Sequence, residues 1–122
     1  MNSMFDEGQP IFQQIADMIE DDILNGTYQT DDQIISMSQF ASTFQVNPAT
    51  AVKGIALLVN EGILYKKRGL GMFVAADAKS IILTKRQDRF YNELVLKLLD
   101  EAEKLELTTE DVIEMIKQRN RR

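Results

Sequence analysis

The fold is decided between Ser36 and Val74. The stretch opens with Ser36-Met37-Ser38-Gln39-Phe40-Ala41 and continues through Val46-Asn47-Pro48-Ala49-Thr50 to Glu61-Gly62. It closes with Ile63-Leu64-Tyr65-Lys66-Lys67-Arg68-Gly69-Leu70-Gly71-Met72-Phe73-Val74. Ser36 followed by Gln39 is a capping box, in which the hydroxyl takes an orphan helix N–H and the glutamine reaches back. Asn47 followed by Pro48 is a second helix start, because Asn caps well and Pro is pre-set for the first helical position. The short link Thr43–Val46 leaves room only for a turn. Beyond Pro48, the apolar residues Ala51, Val52, Ile55, Leu58 and Val59 recur at three and four, one face of a helix. Gly62 is the natural stop. Tyr65-Lys66-Lys67 and Met72-Phe73-Val74 read as short strands joined by Arg68-Gly69-Leu70-Gly71, where glycine permits positive φ. Helix, turn, helix and basic ribbon together predict a winged helix-turn-helix.

Taken alone, the Lys66-Lys67-Arg68-Gly69 run is compatible with an ordinary solvated hairpin. Its place directly after a helix-turn-helix turns it into a candidate DNA contact. Charge distribution supports this reading. The net charge is −5, yet between Met1 and Asp77 the only basic residues are Lys53, Lys66, Lys67 and Arg68. All four fall on the expected recognition helix or wing. Asp17, Glu20, Asp21, Asp22, Asp31 and Asp32 fall on the first helix and the turn after it. A small positive face on an acidic body limits non-specific binding to nucleic acid.

Upstream, Met1–Gln9 is a polar lead in which Met4 or Phe5 could dock. Pro10 opens a helix with Ile11, Phe12, Ile15, Ile19 and Ile23 at helical spacing, and Asn25-Gly26 ends it. A membrane-surface helix needs a basic polar face; this one is acidic. Thr27–Ile35 reads as a loop, with Asp31-Asp32 as a solvated turn rather than a metal pair.

Downstream, Ala75–Lys79 reads as a linker, and a long helix follows from Ser80 or Thr84 to Leu105. Phe90, Tyr91, Leu94, Val95, Leu98, Leu99, Ala102 and Leu105 make its apolar stripe. Thr108-Thr109-Glu110-Asp111 caps a short last helix with Val112, Ile113, Met115 and Ile116. The basic end Lys117–Arg122 suits a helix C-terminus. Two helices cannot bury that much apolar surface by themselves. A second copy of the chain, in a two-fold homodimer, is the economical solution; packing onto the first helix of the same chain is the alternative. The expected fold is thus mainly α with a small β-wing. Residues 1–75 are the winged domain, and 79–122 a two-helix dimerisation segment. Any small-molecule effector is expected where the tail meets the winged domain or the partner chain.

The 122 residues suit one domain with a small appendage. No run nears the roughly 18 apolar residues of a membrane span. The N-terminus lacks the basic and apolar regions of a signal peptide, and there is no cysteine, so a cytoplasmic location is expected.

The residues Pro10-Ile11-Phe12-Gln13-Gln14-Ile15-Ala16, Ile23–Gly26, Phe40-Ala41, Val46–Thr50, Leu57-Leu58, Glu61–Leu64 and Arg68–Val74 resemble the GntR superfamily of bacterial transcription regulators. Val46-Asn47-Pro48 with Thr50, and the short tail, look like its YtrA-type subfamily. The resemblance implies a small dimeric repressor, often of a transporter operon, that reads a palindromic operator in duplex DNA. It also implies DNA contacts from Ser36, Ser38, Asn47, Ala49, Thr50, Lys53, Arg68, Gly69 and Gly71. Two arginines common in the family are absent. Ile35-Ser36-Met37-Ser38 stands where many members have Pro-Ser-Glu-Arg, and Asn47-Pro48-Ala49-Thr50 where many have Ser-Arg-Thr-Thr. Ala49 is suited to a thymine methyl, and Asn47 or Thr50 to a phosphate or base edge.

Enzyme chemistry is not expected. Histidine and cysteine are both absent, and no nucleophile, base and orienter arrangement is recognisable. Gly69-Leu70-Gly71 matches neither common phosphate-binding loop, and no cofactor or metal is implied. The competing reading is a winged-helix adaptor for protein partners, without sequence-specific affinity for DNA.

Overall fold

The structure, a computed structural model, describes residues 8–119 of the chain. Met4, Phe5 and the end of the basic tail, Asn120-Arg121-Arg122, lie outside the described residues. The chain divides into two compact units, Met1–Leu83 and Thr84–Arg122.

The first unit holds α1 (Ile11–Leu24), α2 (Met37–Phe44), α3 (Pro48–Asn60), β1 (Leu64–Lys67) and β2 (Gly71–Val74). Each helix end follows from its own residues. The Ser36 hydroxyl accepts from Gln39 N–H at 3.1 Å, forming the serine half of the expected box. Asn47 Oδ1 accepts from Ala49 N–H at 2.8 Å, with Pro48 in the first turn. At the other end of α3, Gly62 takes φ +79°, while its N–H donates to the Val59 carbonyl and that of Ile63 to the Leu58 carbonyl. That pair of bonds is the Schellman stop a left-handed glycine permits.

The helices bury Ile15, Ala16, Ile19 and Ile23 of α1 against Phe40 and Ala41 of α2 and Ala51, Ile55 and Leu58 of α3. Each fully buried Ile or Leu contributes about 1.5–3 kcal/mol. The face of α3 differs from the one read in the sequence. Gly54 is buried and Val52 is 45% exposed. Phase explains the swap: 51, 54, 55 and 58 make a tighter stripe than one that includes 52. Glu20 also departs from the expected acidic surface. It is fully enclosed, and it has a partner.

β1 and β2 pair antiparallel, Leu64 opposite Val74 and Lys67 opposite Gly71. The preceding segment is more than the expected loop. Asp31 N–H donates to the Val74 carbonyl (2.8 Å), Val74 N–H to Asp32 (3.0 Å) and Ile34 N–H to Met72 (2.9 Å). A bridge between Gln33 and Phe73 completes this third line of sheet. The ribbon therefore has a covered edge.

α4 (Ala78–Phe90) begins before the expected Ser80, since Ala78 and Ile82, four apart on one face, are both buried in the first core. The linker is correspondingly short, and α4 crosses the limit between the two units. In the second unit, Tyr91–Val95 winds as a π-turn in which Leu96 N–H donates to the Tyr91 carbonyl. α5 (Leu96–Lys104) and α6 (Thr109–Gln118) follow. The Thr108–Asp111 box is complete in both directions, at 3.0 and 2.9 Å. Ala102 and Val112 are the buried hydrophobic residues of this unit, and Val95 and Leu99 are half-buried. Phe90, Tyr91, Leu94, Leu96, Leu98, Leu105, Ile113, Met115 and Ile116 remain exposed.

α5 ends like α3 but without glycine. Glu106 takes φ +58°, and Leu107 N–H donates to the Ala102 carbonyl at 2.9 Å. A left-handed residue with a Cβ costs about 1–2 kcal/mol. Glu106→Gly removes that cost and adds chain entropy to the unfolded state. A gain of about 0.5–1 kcal/mol is expected, read as a shifted urea midpoint at constant slope.

Candidate nucleic-acid interface

Two features of the first unit carry the expected contact residues: the starts of α2 and α3, and the tip of the ribbon. At the helix starts, Ser36, Ser38, Asn47 and Ala49 are exposed and Thr50 is half-buried. Ser36 and Ser38 lie with their hydroxyl oxygens 3.4 Å apart at the N-terminus of α2. Helix N-termini with spare N–H groups favour anions such as phosphate. Asn47 spends its side-chain oxygen on the cap, so its amide nitrogen is the group left to donate to a phosphate or base.

Lys53 lies one turn further along α3 and is exposed, but its ammonium is not aimed only at solvent. It sits 4.1 Å from the centroid of the Phe12 ring of α1. An exposed contact of this kind is worth about 0.5–1 kcal/mol and restrains the charge.

The ribbon places its basic residues on different sides. Successive side chains of a strand alternate. Lys67 shares a face with Tyr65 and Phe73, its ammonium 4.5 Å from the Phe73 ring and 5.9 Å from that of Tyr65. Lys66 projects from the opposite face, and Arg68 enters the turn. The Tyr65 hydroxyl donates to Asp31 Oδ1 at 2.7 Å, pinning β1 to the third line of sheet. That hydrogen bond, with smaller contributions from desolvation and the nearby carboxylate charge, holds the phenol above its ordinary value.

The tip is tied down by a residue the sequence reading passes over. Gln33 Nε2 donates to the Leu70 carbonyl at 2.6 Å, while Leu70 itself is 63% exposed. Gly71 stands at φ +122°, and a Cβ there would meet Gln33 Nε2 at 2.7 Å. Gly71→Val is therefore expected to break the Gln33 tether and reshape the tip, because φ is hostile to a β-branched residue. The glutamine end can swing away and the backbone strain is confined to the exposed turn, so stability should fall less than binding. Near-normal melting with weakened duplex binding is the expected pair of results; normal binding would remove the tip from the interface.

Among the described residues, no group of His, Cys, Asp or Glu is arranged to hold a metal, and no helix is long and apolar enough to cross a membrane. In the second unit a cleft of about 510 Å³ is lined by Leu99, Asp100, Glu103, Glu106 and Thr108, among others. A concavity of that size within the tail departs from the sequence reading, which expects any effector where the tail meets the winged domain or the partner chain. The cleft is a surface concavity at the α5–α6 turn, rimmed by exposed acids.

The model of the bacterial regulatory proteins, gntR family, matches residues 11–74. YhcF of Bacillus subtilis (strain 168), an uncharacterized HTH-type transcriptional regulator, is 29% identical over 117 residues, 96% of this chain and 95% of that one. The HTH-type transcriptional repressor YtrA of the same organism is 27% identical over 91 residues, 75% of this chain and 70% of its own length. A GntR family transcriptional regulator from Listeria monocytogenes has a solved structure that superposes with a TM-score of 0.73 at 32% identity, covering 93% of this chain and 98% of that one.

Proposed function

The chain belongs to the gntR family of bacterial regulatory proteins, as a winged-helix transcriptional regulator similar to YtrA and not an enzyme, and on that premise we propose that it binds duplex DNA sequence-specifically as a homodimer. The start of α3 enters the major groove, and the wing tip lies on the adjacent groove. Ser36, Ser38, Asn47 and Lys53 bind phosphate, Ala49 and Thr50 face base edges, and Lys66, Lys67, Arg68, Gly69 and Gly71 form the wing contact. Residues 79–122 supply the dimer seam, so the operator is palindromic. Action in the cytoplasm as a repressor, like the repressor YtrA, completes the proposal.

One observation carries the reading. Lys53, Lys66, Lys67 and Arg68, the whole basic complement of residues 1–77, are exposed on α3 and the ribbon. Cations confined to those two elements within residues 1–77 of an acidic chain suit a polyanion there. Arg68→Ala and Lys53→Ala are each expected to weaken duplex binding and lower the log–log salt slope by about one. Fluorescence anisotropy across a salt series measures both. Unchanged slopes in both variants, or no duplex preferred over random sequence, would favour the protein-adaptor reading.

A further inference from the structure

The exposed strip of α3 has an unusual chemistry for a helix that faces DNA. Ala49, Val52, Lys53 and Ala56 follow one another at three and four and are all exposed, opposite the buried stripe of Ala51, Gly54, Ile55 and Leu58. Three of these four exposed residues end in methyl groups. The helix Pro48-Ala49-Thr50-Ala51-Val52-Lys53-Gly54-Ile55-Ala56-Leu57-Leu58-Val59-Asn60 contains no Arg, Gln or Glu. The single cation, Lys53, is drawn over the Phe12 ring at 4.1 Å, and the Asn47 side-chain oxygen is occupied by the cap. The middle of the helix therefore lacks the planar, bidentate groups that read guanine or adenine. A lone exposed valine is ordinary on a protein surface. Here it stands between two alanines in the middle of the helix assigned to the groove. Of the base edges in the major groove, only thymine offers an apolar group, its 5-methyl.

We infer that Val52, flanked by Ala49 and Ala56, is a specificity-determining residue that packs on thymine methyl groups, so that A·T pairs are selected under the middle of α3. The inference rests on the DNA-binding reading above. Removing one methyl from such a contact, at about 0.8 kcal/mol per buried carbon, corresponds to about fourfold in affinity.

The test starts by selecting duplexes from a randomised pool with the full chain. Each thymine of the enriched half-site is then replaced by deoxyuridine, which lacks only the methyl. Wild-type protein should lose about fourfold at one or two central positions, and Val52→Ala should lose affinity for the thymine duplex while becoming indifferent to uracil there. Because Val52 is 45% exposed, the variant should melt like wild type. Val52→Thr, which keeps one methyl, should fall between. An enriched half-site without central thymines overturns the inference but leaves sequence-specific binding standing. So does uracil sensitivity that is absent, or equal in wild type and Val52→Ala. A pool that shows no enrichment overturns the DNA-binding reading itself, and the inference with it.

Discussion

Leu94→Asp combined with Leu98→Asp is expected to yield a folded monomer whose affinity for a palindromic duplex falls by about 10²–10⁴-fold, the range lost when two linked half-sites become independent. Leu94 and Leu98 are 57% and 46% exposed, on a unit that also exposes Phe90, Tyr91, Leu105, Ile113, Met115 and Ile116. So many exposed large apolar side chains on one small unit suit an interaction surface. Neither leucine is needed to fold the unit, since its buried residues are Ala102 and Val112. Two carboxylates in the proposed seam would be desolvated without partners. Sedimentation velocity and anisotropy against the same duplex check both halves. A dimer of undiminished affinity would remove residues 90–105 from the assembly. A truncation after Leu83, which keeps the fully buried Ile82 in the first core, should likewise give a monomer.

The second large effect lies in the first unit. Gly54→Ala should destabilise it, although alanine is the better helix former by about 1 kcal/mol. A Cβ at position 54 would lie 2.7 Å from the Phe12 carbonyl oxygen, 3.1 Å from Ile15 Cγ2 and 3.2 Å from Ile15 Cβ. The first of these is backbone in the middle of the α1–α3 crossing and cannot move alone. Overpacking of this kind costs about 1–3 kcal/mol. After the helix-propensity gain is subtracted, a net loss of up to about 2 kcal/mol remains, a fall in Tm of up to roughly 10 °C for a unit of this size. Gly54→Val, which adds branches to the same clash, should fall further. Scanning calorimetry decides it; a rise in Tm would mean that α1 and α3 can separate without cost.

What was legible in the sequence was local. Ser36, Asn47-Pro48, Gly62 and the Thr108–Asp111 box each act on N–H or C=O groups within a few residues. Their chemistry names the helix ends before any packing is known. The hairpin is legible for the same reason. What was not legible depended on pairs far apart in the chain. Gln33 holds Leu70 from 37 residues away, and nothing around Gln33 announces it. The line from Asp31 to Ile34 becomes sheet only because β2 is there to receive its hydrogen bonds. The face of α3 failed at one residue. Val52 and Ala51 both fit helical periods, and the arbiter is Gly54, whose missing side chain admits α1. That choice moved Val52 from the presumed core to the surface proposed to meet DNA.

The π-turn at Tyr91–Val95 sets the phase of everything after it. An α-helix advances about 100° per residue, and a π-turn accommodates one residue more than the α ladder would. Leu98, Ala102 and Leu105 are thus rotated by about one residue's worth of arc from where an unbroken helix continuing α4 would aim them. In a two-fold assembly the offset occurs in both copies, so it determines which rows of leucine can mesh. Loss of one residue from the turn would restore a plain α-helix with the downstream row aimed as before, whereas closing the turn at unchanged length would swing that row by about 100° away from its partner.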